Sequence, residues 1–246
     1  MKVAGMVLAA LIAAMALTSC ELLQRPLAHP LHVVYLVDCS ASIKPKSLDD
    51  AFSAIRAEAG RLRRGDRITV IPITGDALND VPGRILSRRV PLQRQPYDLD
   101  LKIFRKKFSK ELRKFELRAQ THPYERTDIL GTVAVAVQEF AIDDSQVRKR
   151  LVIFSDFIEE DGRWNFMNDP RFENKSSARA LAAHLSKAEP RLNGTQVYLI
   201  ELRSKEMKRL GYERREAITE FWDDYFAGCF LRTHCKVHPI LIKTKY

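Results

Sequence analysis

Apolar residues along this chain fall into blocks of two kinds, and the two kinds alternate. Leu31-His32-Val33-Val34-Tyr35-Leu36-Val37 is a nearly unbroken β-branched and apolar run. A strand with one wet face would need a polar residue at every second position, so this run predicts a strand buried on both faces of a parallel sheet. Arg67 to Ile73, Arg150 to Ser155 and Gln196 to Glu201 repeat the pattern, and a last strand is expected over Val237 to Ile242. Arg84 to Val90, after a turn rich in Gly, Asp, Asn and Pro, reads as an antiparallel strand at the sheet edge. Pro72 lacks a ladder donor and suits a position at or near that edge.

Between these runs the apolar spacing becomes helical. Leu48, Ala51, Phe52, Ile55, Ala59 and Leu62 share one face, with Ser47 expected as N-cap and Gly65 as the C-terminal cap. Leu101, Phe104, Phe108, Leu112 and Phe115 form a second stripe, and Asp128-Ile129-Leu130-Gly131 opens a third helix running to Phe140. Further helices are expected from Ser176 to Ala188 and from Arg214 to Phe226. Alternation of this kind predicts an α/β fold: a doubly wound, mostly parallel central sheet flanked by helices, with one antiparallel edge strand. No internal repeat is visible.

The first thirty residues do not fit the alternation. Met1-Lys2 precedes an Ala-rich apolar run ending in Leu17-Thr18-Ser19-Cys20. The run is too short for a convincing membrane span and has the layout of a secretion leader. Its end resembles the bacterial lipobox, which implies that residues 1–19 are a lipoprotein signal peptide and that Cys20 is lipidated. Residues 20–30, with Pro26 and Pro30, then read as a lipidated tether, and residues 31–246 as one domain. The implied location is the bacterial envelope, with the membrane held through the N-terminal lipid.

Charge changes the picture next. The formal charge is +10, and loss of Lys2 with the leader lowers it by one. Such a surplus favours anionic partners, among which nucleic acid is not expected for an exported protein. The cations are concentrated on the second helix, where Lys102, Arg105, Lys106, Lys107, Lys110, Arg113 and Lys114, followed by Arg118, surround the aromatic stripe. Two readings stay open: a solvated surface helix, or a contact for anionic lipid or polymer. Of the remaining cysteines, Cys229 and Cys235 are the natural disulfide pair outside the cytoplasm, and Cys39 is expected as a packed thiol.

Ligands of open α/β sheets bind where loops leave the carboxyl ends of the strands. Here Asp38-Cys39-Ser40-Ala41-Ser42 follows the first strand, Arg126-Thr127-Asp128 precedes a helix, and Asp156 ends a core strand. Carboxylate and hydroxyl oxygens without a His or thiolate cluster make a hard donor set, suited to Mg²⁺ first and to Mn²⁺ or Ca²⁺ as well. Asp38-x-Ser40-x-Ser42, Thr127 and Asp156 together resemble the metal-ion-dependent adhesion site of von Willebrand factor type A domains, over residues 31 to 242. The resemblance implies that Ser40, Ser42 and Thr127 offer hydroxyls to the ion. Asp38 and Asp156 would bind it directly or through water, and a partner's Asp or Glu would complete its shell.

The expected function is therefore metal-dependent protein binding at the envelope, without catalysis. The alternative is a structural, tethering lipoprotein that holds anionic polymer or lipid through its basic surface, its metal site vestigial. A metal-dependent hydrolase stands third. The chain has no Gly-x-Ser-x-Gly or His-Glu-x-x-His, and a serine, Ser40, stands where aspartyl-phosphate chemistry needs a second aspartate.

Overall fold

A computed structural model describes residues 29–81, 84–188, 192, 194–233 and 236–239. The leader, Cys20, the tether up to residue 28, the Cys229–Cys235 side-chain pairing and the end of the expected last strand lie outside the described residues. Among the described residues six strands form one sheet: β1 (Leu31–Asp38), β2 (Arg67–Ile73), β3 (Leu86–Arg89), β4 (Arg148–Ser155), β5 (Thr195–Glu201) and β6 (Lys236–Pro239). Their order is β3-β2-β1-β4-β5-β6. β3 pairs antiparallel with β2, and every other pairing is parallel.

Six α-helices are described: α1 (Pro45–Arg61), α2 (Ala77–Asp80), α3 (Leu99–Thr121), α4 (Ile129–Ala141), α5 (Lys175–Ala188) and α6 (Tyr212–Thr233). The alternation of β1 sorts them into two layers. Val34 and Leu36 face a core built with α2, α4, α5 and α6, while Val33, Tyr35 and Val37 face one built with α1 and α3. Buried on both sides, β1 carries no wet face, which is why its sequence is apolar throughout. Each of these side chains contributes on the order of 1.5–3 kcal/mol of burial free energy.

Two expected helix ends are corrected. α1 begins at Pro45 after Lys44, so Ser47 lies inside its first turn, where its N–H donates to the Lys44 carbonyl at 2.9 Å. Proline needs no intrahelical donor at this position and its fixed φ suits it, so it starts the helix without a side-chain cap. Gly65 is not the cap either: the helix stops at Arg61, and Gly65 takes φ 84° in the tight turn into β2. α6 begins before Arg214 and runs beyond Phe226, its apolar face locked by Phe221, Trp222, Tyr225 and Phe226 stacking among themselves and on Phe166 and Phe172.

Candidate metal centre

Parallel β1, β4 and β5 deliver their carboxyl ends to one edge, and four loops meet there. Asp38, the last residue of β1, is fully buried. Its Oδ1 accepts from the Ser40 backbone N–H at 3.0 Å and its Oδ2 from the Ser155 hydroxyl at 2.6 Å. The turn after it brings the Ser40 and Ser42 hydroxyls within 2.9 Å of each other. Backbone bonds stitch the neighbouring loops to this turn. Ala41 N–H donates to Tyr124 O at 2.9 Å, and Tyr124 N–H to Cys39 O at 3.1 Å. Thr127 exchanges two 2.9 Å bonds with Glu160, and Lys205 N–H donates to Ser42 O at 3.0 Å. The loops carrying Ser40, Thr127, Asp156 and Ser204 are thus tied to one another by main-chain bonds, which fix a site far better than side-chain contacts do.

Asp156 follows β4 and is buried beside this turn. Its Oδ1 accepts from Ile158 N–H at 3.0 Å, whereas its Oδ2 is buried without a hydrogen-bond partner. Burial, then the Asp38 charge, pushes the Asp156 carboxyl up to about 7, with Ser204 and Ile158 only partly offsetting them. Burial raises Asp38 as well, and Glu206 adds to the rise at both groups. Glu206 itself keeps a buried Oε2 without a partner. No ion pair to Asp38 or Asp156 forms among the described residues. Two carboxylates that repel each other, an orphaned oxygen and adjacent hydroxyls fit a hard divalent cation, which supplies the missing positive charge. Cys39 between them is buried, its thiol pushed up by burial and by Asp38, so it packs and does not react.

Phe157 continues the Asp156 loop with φ 62°, a left-handed backbone that non-glycine residues seldom adopt. Its N–H donates to Ser155 Oγ at 3.0 Å and its carbonyl accepts from Trp222 Nε1 at 2.8 Å, so β4 and α6 hold the conformation between them.

A second acidic group stands beside the first. One oxygen each from Asp128, Glu159 and Asp161 lies within 4.8 Å of the others. Asp128 caps α4, accepting from Gly131 N–H at 2.7 Å and from Ala77 N–H at 3.0 Å, and a Cβ on residue 131 would collide with its carboxylate. Glu159 Oε2 accepts from Ile129 and Leu130 N–H at 3.0 and 3.3 Å. Asp161 accepts from Arg163 and Trp164 N–H and pairs with the Arg163 guanidinium at 3.3 Å. Full burial holds the Glu159 carboxyl well above its ordinary range.

The five expected ligand residues thus all lie on this edge, in loops bonded to one another. The sequence reading missed Ser155, Ser204 and Glu206 around Asp38 and Asp156, and Glu159 and Asp161 beside Asp128. The run Glu159-Glu160-Asp161 so soon after Asp156 was the available signal for the second group, and the hydrophilic stretch after β5 was the signal for Ser204 and Glu206. The seven expected contact cations of α3 are exposed along its outer face, at the side of the sheet.

No protein-family model matches the sequence, and no curated protein is found as a relative. Among solved structures, a von Willebrand factor type A protein from Catenulispora acidiphila matches at 17% identity over 81% of this chain and 42% of its own, with a TM-score of 0.39. An aerotolerance-related membrane protein from Bacteroides fragilis matches at 14% identity, covering 87% and 92%, TM-score 0.42. The manganese-loaded TRAP protein of Plasmodium vivax matches at 12% identity, covering 78% and 63%, TM-score 0.39. Identities this low lie far below those that carry a function from one protein to another. The fold itself is the α/β arrangement expected from the sequence, a mostly parallel sheet with one antiparallel edge strand.

Proposed function

We propose that this chain is an envelope lipoprotein whose domain binds a partner protein through a divalent cation held by Asp38, Ser40, Ser42, Thr127 and Asp156. The observation that carries this reading is the buried, unpartnered Oδ2 of Asp156 next to Asp38, with no basic side chain among the described residues paired to either. Mg²⁺ is the first candidate, Mn²⁺ and Ca²⁺ the others, and affinity falls between micromolar and millimolar because few carboxylates and several neutral oxygens share the ion. The hydroxyls and the carboxylates orient the cation. A carboxylate from the partner, facing the open side of the loops, is the remaining ligand. The reading is a binding module.

Envelope location rests on the lipobox resemblance and is part of the proposal. Capture of a partner from envelope extract with and without EDTA tests it. The expected result is loss of capture with EDTA and in Thr127→Ala. Capture indifferent to both overturns the reading.

A further inference from the structure

We propose that the sheet edge opposite the metal loops docks on an anionic lipid bilayer, with Leu92, Tyr97 and Leu99 entering the interface and Arg63, Lys102 and Lys106 contacting headgroups. The proposal goes beyond metal-dependent capture and does not depend on it.

The loop between β3 and α3 projects from this edge. Leu92 is 69% exposed, Tyr97 92% and Leu99 51%, values unusual for side chains of this size in one short segment. Tyr97 and Asp98 both hold left-handed backbone, at φ 58° and 51°. Such conformations cost energy and persist only where the surroundings enforce them. Arg64 does so: its guanidinium donates to Gln93 O at 2.8 Å, to Asp98 at 2.9 Å and to Asp100. A loop clasped at its base and strained at its tip holds an aromatic ring out in solvent, where the ring makes no contact that would stabilise the monomer.

Charge on the adjoining helix is sorted. Its acids all turn inward: Asp100 to Arg64, Glu111 to Arg88 and Glu116 to Arg56. Lys102 and Lys106 stand exposed beside Leu99 and Ile103 at helical spacing, and Arg63 stands exposed next to the Gly65 turn. Cations flank the protruding aromatic and aliphatic tips, and Asp98, the acid between Tyr97 and Leu99, is neutralised by Arg64 and Arg94. This matches a negatively charged lipid surface, where rings settle at headgroup level and long cations reach the phosphates. An acidic protein would instead call for a recessed apolar site with paired charges. Asp144 is an exposed acid on the same edge, and it lies beyond Ile142, itself exposed at the end of α4.

The direction of approach follows from topology. The polypeptide enters the fold at this edge: Pro30 and Leu92 both pack at Gly65, and Pro30 O accepts from Arg148 N–H at 2.9 Å. β1 is 8 residues long, so end-on docking holds the metal loops about 25 Å above the lipid, facing away from it. The upper cations of α3, Arg113 and Lys114, then stand about 20 Å along the helix from Leu99 and beyond the reach of headgroups at physiological salt.

The test uses the full chain with Tyr97→Trp, read against the wild-type Trp164 and Trp222 background, on phosphatidylcholine vesicles with or without phosphatidylglycerol and with brominated acyl chains. Because the reporter is local, attachment elsewhere in the chain does not mimic docking. A blue shift and bromine quenching of the residue-97 emission are expected only with phosphatidylglycerol, and Leu92→Trp should read the same. Arg63→Gln with Lys102→Gln should shift the docked-to-free ratio about 25-fold toward free, at about fivefold per cation. Arg113→Gln with Lys114→Gln should leave it unchanged. Solvent-like emission on anionic vesicles overturns the proposal. So does an emission change produced by soluble polyglutamate but not by vesicles, which would assign the edge to an acidic macromolecule. A loss with Arg113→Gln/Lys114→Gln equal to that with Arg63→Gln/Lys102→Gln overturns the end-on approach.

Discussion

Asp38 and Asp156 form one group of buried carboxylates on the carboxyl edge of the sheet, and Asp128, Glu159 and Asp161 form another beside it. Burial raises Asp38, Asp156, Asp128 and Glu159 alike. What differs is the relief available. The second group meets the N-terminus of α4, whose unsatisfied N–H groups and dipole favour negative charge, and it has the Arg163 guanidinium on Asp161. Burial and the two neighbouring aspartates disfavour charge on Glu159. The first group has hydroxyls and single N–H donors, like charges facing each other and no guanidinium paired to it among the described residues, while each group keeps a buried oxygen without a partner, on Asp156 and on Glu159. On the proposed reading the three carboxylates anchor a helix and the two hold the ion.

The sharpest way to break this comparison is to remove an anchor. Asp128→Ala deletes the acceptors of Gly131 and Ala77 N–H and leaves both donors buried, so thermal or denaturant unfolding should show a loss of about 2–4 kcal/mol. The comparison fails if stability is unchanged while metal binding disappears.

Asp156→Asn should act in the opposite direction. Its carboxyl is raised to about 7, so ionising it opposes folding. Metal-free stability should therefore fall as pH rises from about 4, the ordinary carboxylate range, to about 7, with Asp38 and Glu159 adding to the same slope. At pH 8 the metal-free variant should be more stable than wild type by a few kcal/mol, on the order set by that shift. Saturating Mg²⁺ should flatten the wild-type slope, and metal affinity should weaken below pH 7 as protons compete. A wild-type stability that climbs between pH 4 and 7 without metal would contradict the electrostatic account.

Smaller effects sharpen it. Ser42→Ala removes one neutral ligand and leaves no buried charge, so the fold should be nearly unaffected while Mg²⁺ affinity drops about tenfold, measured by calorimetry. Glu159→Gln keeps an acceptor for Ile129 and Leu130 N–H and removes a charge that burial disfavours, so stability should fall by no more than about 1 kcal/mol. A large loss there would mean that Glu159 is charged and carries a cation.

Much of this was legible in the sequence because strand burial writes itself as apolar runs: the buried pattern of β1 and β4 could be read from Val33 to Val37 and from Leu151 to Phe154. The same signal placed Asp38 and Asp156 at strand ends and made the Asp-x-Ser-x-Ser spacing meaningful. What it could not give is relief. Whether a carboxylate is satisfied depends on donors distant in the chain, such as Ile129 N–H for Glu159 and Ser155 for Asp38, and no local pattern encodes those pairings. Helix starts were misread for a related reason, since Ser47 is a good cap in isolation but Pro45 had already begun the helix. The strained Tyr97 tip was likewise hidden, because Arg64 clasps it from a turn 33 residues earlier in the sequence.

Titration calorimetry of Mg²⁺ into wild type, Asp156→Asn and Glu159→Gln tests the choice between the two groups most directly. The expected result is one binding event in wild type, its persistence in Glu159→Gln and its loss in Asp156→Asn. Binding that survives in Asp156→Asn and vanishes in Glu159→Gln would move the cation to the α4 anchor and contradict the assignment of Asp38, Ser40, Ser42, Thr127 and Asp156.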